Sequence, residues 1–110
     1  VKDTNPLVKC NTCHEGSAVD FVMRMERNSN EDRTALSLAL DTNQPKYIGG
    51  SSAATASVAG IAALIFSEHP SASRADVFNG MKENASYYPN KDSDLGWGII
   101  DAEAAVNENL

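Results

Sequence analysis

The chain has 110 residues, a net charge of −6, 42% apolar and 22% charged residues. That length suits a single domain burying roughly two-thirds of its unfolded surface, and the composition excludes a disordered chain. The acidic balance and the lack of a basic stripe exclude nucleic acid as a partner, and the longest apolar stretch, residues 53–66, is too short to span a bilayer.

The sequence opens on "VKDTNPLVKC", without a starting Met. It therefore reads as a processed or excised piece of a longer protein, and its start says nothing about compartment. Residues 1–17 are polar and turn-rich, with Pro6, Gly16 and the cysteine pair Cys10 and Cys13. Residues 18–25 alternate, with Val19, Phe21, Met23 and Met25 on one face and Asp20 and Arg24 on the other. That period of two predicts a strand. Residues 26–33, "ERNSNEDR", predict a solvated hairpin-like loop, residues 34–40 alternate again, residues 41–45 form a turn, and residues 46–50 begin as a short strand.

Two helices follow. The first runs from about Ser52 to about Glu68 and stops before Pro70. It is small or apolar nearly all round, including Thr55 and Ser57, so burial on most sides is expected. The second begins after Ser73, with Asp76 three residues on as a capping partner. Val77, Phe78 and Met81 give it one apolar stripe, as in a surface helix. Residues 87–98 predict a loop, and the chain closes as a strand or turn followed by a short helix capped by Asp101. The segments are thus 1–17, 18–50, 51–69, 73–86 and 96–107, within one unit spanning 1–110.

The junction "GGSSAATASVAG" at residues 49–60 carries the chemistry. A helix N-terminus offers unpaired N–H groups and about half a positive charge. A hydroxyl there can attack a carbonyl while a neighbouring N–H faces the oxygen that becomes negative. Glycines before it allow close backbone approach. Ser51 or Ser52 can equally serve as a plain N-cap on the same N–H groups, and the local pattern leaves both readings open.

The wider pattern resembles the C-terminal part of the subtilisin-like serine proteases (subtilases, peptidase S8). Their nucleophile motif reads roughly G-T-S-x-A-T-P-x-V-A-G. Gly50, Ser52, Ala54, Thr55, Val58, Ala59 and Gly60 match it, with Ser51 in the Thr position and Ala56 in the Pro position. Ser57 stands where many members carry His. "GWGIIDAEAAV" is similar to the family's closing segment, and "GSAVDFVMRM" to the strand before the nucleophile loop. The resemblance covers about residues 16–107. It implies an α/β, three-layer fold with a mostly parallel sheet, a buried nucleophile helix and a second surface helix. It implies a serine endopeptidase acting on peptides or proteins through an acyl-enzyme on Ser52. The Ser52 backbone N–H would supply half of an oxyanion hole, and Gly49 and Gly50 would border the substrate cleft on the leaving-group side. The elbow G-x-S-x-G of another hydrolase class does not fit, because position 54 is Ala.

The family's Asp and His precede the serine in sequence. Only His14 and His69 exist here. His69 is one helix length from Ser52, roughly 24 Å at the α-helical rise. His14 lies in a cysteine-rich turn without the family's glycine-flanked context. The second oxyanion donor, an Asn on an earlier segment, has no counterpart either. The chain is therefore expected to be the C-terminal portion of a protease domain, inactive alone. Its expected partners are the N-terminal part of the same domain and, through an exposed sheet edge, other copies of itself. Secretion or a periplasmic location follows from the resemblance, and no cofactor is expected. A non-catalytic relative that keeps the fold for binding or scaffolding is the alternative.

Cys10, Cys13 and His14 spell C-x-x-C-H, the c-type haem attachment pattern, which suggests an electron carrier as a remote alternative. A local disulfide or two free thiols are the plainer readings; zinc would need two further ligands. Asn84-Ala85-Ser86 matches a glycosylation sequon. Trp97 reads as core packing and Asp101 as a helix cap.

Overall fold

The structure, a computed structural model, describes backbone and side chains over residues 15–25 and 49–110. Of the remainder it describes the backbone of four short strands, β1 (Asp3–Thr4), β2 (Leu7–Val8), β3 (Ala35–Ser37) and β4 (Lys46–Ile48). Cys10, Cys13 and His14, the 26–33 loop and the 41–45 turn lie outside the described residues. β1 pairs antiparallel with β2, and β3 with β4 in the register Ala35–Ile48, Leu36–Tyr47, Ser37–Lys46. Three helices follow, α1 (Gly50–Glu68), α2 (Arg74–Glu83) and α3 (Ala102–Asn107).

Each helix end has a local cause. α1 stops at His69, whose backbone N–H closes on Ile65 O at 2.9 Å, with Pro70 next in the chain. The His69 ring also donates from Nε2 to Val106 O at 3.1 Å, tying the end of α1 to α3. At α2 the expected capping box forms. Ser73 Oγ accepts from the Asp76 N–H at 3.1 Å and Asp76 Oδ2 accepts from the Ser73 N–H at 2.9 Å. Those bonds to Ser73 hold the Asp76 carboxyl below its ordinary range. At α3, Asp101 Oδ1 accepts from the Ala104 N–H at 3.0 Å, as expected.

The core lies where the three helices meet. Ile65, Val77, Met81, Ile100 and Ala105 are buried, with Phe21, Val58, Ile61, Ala62, Ala72 and Val106 packed round them. Fully burying Ile65 or Val77 contributes about 2 kcal/mol each. Phe78, on the expected stripe of α2, stacks on Phe21 with ring centroids 5.6 Å apart. Trp97 is half-buried, 6.0 Å from the Tyr88 ring and under the Lys82 ammonium at 5.3 Å, consistent with packing.

The closing motif is a backbone seam. Residues 84–87 run against 97–101 through Ser86 N–H to Ile99 O, Tyr87 N–H to Trp97 O and Asp101 N–H to Asn84 O, all within 2.9 Å. On its other side Trp97 N–H donates to Asp20 O at 2.7 Å, and Val22 N–H donates to Gly98 O at 3.0 Å. Gly96 and Gly98 have φ of +60° and +91°. A β-carbon on Gly96 would fall on the Val19 and Asp20 carbonyl oxygens, and one on Gly98 on Ser86 Oγ. The seam therefore needs glycine at both places.

Both strand pairs among the described residues are antiparallel, and the expected mostly parallel sheet is not among them. Two expectations are corrected. Residues 18–25 do not form a strand; their pairing to 97–98 is limited to two backbone bonds, too few for a ladder. The apolar α1 is not buried on most sides: Ile65 is its one buried residue, and Leu64 is 56% and Phe66 39% exposed. Among the described residues, α2, α3 and the core partners meet one side of α1, and Leu64 and Phe66 are left open on another. The helix is also longer than the apolar run suggested, 19 residues, which by length and composition alone could cross a membrane.

Candidate functional site

β4 delivers the chain to Gly49, whose extended backbone (φ −157°, ψ −166°) forms the helix cap position. Gly50 then takes φ +88°, a left-handed value that a side chain would strain. Its N–H donates to Met25 O, anchoring the bend to the 19–25 segment. The two glycines thus make a turn that only glycine permits at position 50, and α1 departs from it.

Ser51 and Ser52 are exposed residues of the first turn of α1. No side chain caps this helix. The plain N-cap reading of Ser51 or Ser52 is therefore overturned: the cap position falls on Gly49, which has no hydroxyl to offer. No acidic residue lies in the first turn, so the positive end of the helix meets no local counter-charge there. The other hydroxyls near it are occupied. Thr55 Oγ1 donates to Ser51 O at 2.8 Å and Ser57 Oγ donates to Ala53 O at 2.9 Å. Among the described residues, neither the Ser51 nor the Ser52 hydroxyl makes a hydrogen bond.

A groove of about 320 Å³ lies between α1 and the 19–25 segment. Ser51, Ala54, Thr55 and Val58 form its helix side at spacings of three and four residues, one helical face. Val19, Phe21, Val22, Met23 and Met25 make the opposite wall, with Asp20 at the polar rim. Ser52 is not among the lining residues; it is on the next face of the helix, open to solvent. Sequence reasoning missed this groove. It assigned Asp20 to the outward face of a strand, and no local signal says that a helix will pack beside it. The Asp20 carboxylate is 3.7 Å from Lys91 Nζ, which also donates to Ser17 O at 3.1 Å.

The arrangement presents an unengaged hydroxyl at a helix N-terminus beside open backbone donors. It does not bring a base to that hydroxyl. His69 is at the far end of α1, engaged with Val106, and His14 lies outside the described residues. The sequon Asn84 is used structurally: its Nδ2 donates to Gly80 O at 2.8 Å and to Glu108 Oε2 at 2.6 Å.

Compared with known proteins, the chain matches the family model described as Subtilase family (peptidase S8) over residues 9–98. No curated protein matches it.

Proposed function

Because the chain belongs to the subtilase family, we propose that Ser52 is the nucleophile of a serine endopeptidase. The observation that carries this reading is the first turn of α1. Ser52 is exposed there two residues after the left-handed Gly50, with its hydroxyl spared from capping and an uncapped helix end beside it. Ser52 Oγ would attack the scissile carbonyl of a peptide. The carbonyl oxygen would become negative against the Ser52 backbone N–H and the positive end of α1. Gly49 and Gly50 would let the leaving-group side of the substrate pass close to the backbone. The acyl-enzyme on Ser52 would then be released by water.

A serine hydroxyl needs a base to take its proton, and none stands beside Ser52 among the described residues. We therefore read these 110 residues as the part of a catalytic domain that holds the nucleophile. The Asp, the His and the second oxyanion donor would come from preceding parts of the same polypeptide. In that setting the mostly parallel sheet and a third layer would complete the three-layer fold and cover α1. A secreted or periplasmic location goes with this reading. The test is peptide hydrolysis. The 110-residue chain should turn over a fluorogenic peptide no faster than its Ser52→Ala variant. In the full polypeptide the same substitution should lower kcat by orders of magnitude. Turnover unchanged by Ser52→Ala in the full polypeptide would overturn the assignment, and turnover by neither form would favour a scaffold.

A further inference from the structure

We infer that the Asn84-Ala85-Ser86 sequon is a glycosylation site of the unfolded chain alone, so that an N-linked glycan and the closed junction of α2 with α3 exclude each other. The three-letter pattern does not distinguish an open acceptor from a shut one. The contacts of its three residues do.

Asn84 ends α2, and its Nδ2 donates to Gly80 O at 2.8 Å and to Glu108 Oε2 at 2.6 Å. Both amide hydrogens are thereby used, one on the helix and one on the segment after α3. The Asn84 carbonyl accepts from the Asp101 N–H at 2.8 Å. Ala85 is buried and faces Ile100 in an antiparallel bridge. Ser86 Oγ accepts from the Ile99 N–H at 3.0 Å, and the Ser86 N–H donates to Ile99 O at 2.9 Å. Gly98 passes directly over this hydroxyl, where a β-carbon would overlap it. The amide, the backbone and the hydroxyl of the motif are therefore all engaged in the fold.

Glycan transfer needs the amide and the hydroxyl released. The donor class is an oligosaccharide carried on a lipid pyrophosphate. Asn84 Nδ2 attacks the anomeric carbon of its first sugar. The N–C bond forms, the bond from that carbon to the pyrophosphate oxygen breaks, and the lipid pyrophosphate leaves as one amide proton is released. The nitrogen then carries one hydrogen where the junction uses two. A bulky, solvated sugar on it would also stand where Glu108 now sits. A glycan attached first keeps the 84–87 seam and residue 108 from closing, and closure first withholds the acceptor. From the folded state the remaining route is local opening, and the rate of modification follows the population of the open form.

The test is oligosaccharyl transfer in vitro, with a purified transferase and a lipid-linked oligosaccharide, read by mass spectrometry. A peptide of residues 80–90 should be glycosylated on Asn84. The folded 110-residue chain should react at least about tenfold more slowly, the penalty of a local opening. Gly98→Ala, which forces the seam apart, should approach the rate of the peptide. Glu108→Ala frees one amide hydrogen and leaves the seam bonds in place, and it should give a smaller gain over wild type. Equal rates for the peptide and the folded chain would overturn the inference. So would a peptide that accepts no glycan, or no gain in either variant. The chain made with the glycan attached during synthesis should lose hydrogen-exchange protection at the Ser86 and Asp101 amides. Full protection beside an intact glycan would contradict the mutual exclusion.

Discussion

Glycine marks two opposite situations in this chain. At Gly96 and Gly98 the backbone passes so close to residues 19–20 and 86 that no side chain fits, and φ is positive at both. Gly96→Ala or Gly98→Ala should each cost more than about 2 kcal/mol, from backbone strain and overlap together. At Gly60, in the middle of α1, a β-carbon would meet nothing within 4 Å. Gly60→Ala should stabilise the chain by up to about 1 kcal/mol, since alanine is the better helix former. Urea denaturation of the three variants checks both signs. The need for glycine in "GWG" was legible only as part of a family pattern. Its cause, a seam against a segment 76 residues earlier (Gly96 over Asp20), depends on contacts that local sequence does not encode. The place of the Ser51–Ser52 pair at the start of α1 was legible for a different reason, because its neighbours on both sides in sequence define the turn and the helix that present it.

At the scale of elements, the sequence spoke most clearly where structure is local. Ser73 and Asp76 announce α2, and Asp101 announces α3, because a cap needs only residues three apart. Ser73→Ala should lower stability by about 1 kcal/mol at neutral pH. The ionised Asp76 is favoured in the folded state, so its share of the box is present above its ordinary value of 3.8 and lost as pH falls through the depressed one. Asp76→Ala removes the carboxylate that accepts from the Ser73 N–H, so the difference in Tm between wild type and Asp76→Ala should shrink in acid. A difference constant with pH would show that the Asp76 charge takes no part. The 18–25 segment was misread because alternation reports two-sidedness and not a partner. Its neighbours proved to be a glycine-rich loop and the side of α1. The C-terminal helices were well placed, and β3 and β4 fall inside the alternating 34–40 stretch and the short strand expected at 46–50, whereas β1 and β2, two residues each, lie in a segment read only as turn-rich.

At the scale of the whole molecule, the exposed flank of α1 is the anomaly. Ala59, Gly60, Ala63, Leu64 and Phe66 face outward on a helix with no charged residue between Gly50 and Ser67. Composition says such a helix belongs inside a protein, and these 110 residues cover one side of it. A self-associating chain is expected, through this flank or an unpaired sheet edge. Light scattering should report dimers or larger species that shift toward monomer in Leu64→Lys. A clean monomer at high concentration would show that the flank is tolerated in water.

Whether Ser52 is the reactive hydroxyl is decided most directly by where a fluorophosphonate probe attaches. The full polypeptide and the 110-residue chain are each exposed to the probe, and the adduct is located by peptide mass spectrometry. Stoichiometric adduct on Ser52 in the full polypeptide, absent from the 110-residue chain, is the predicted result. Adduct on Ser51 in the groove, or rapid labelling of Ser52 in the 110-residue chain alone, would contradict it.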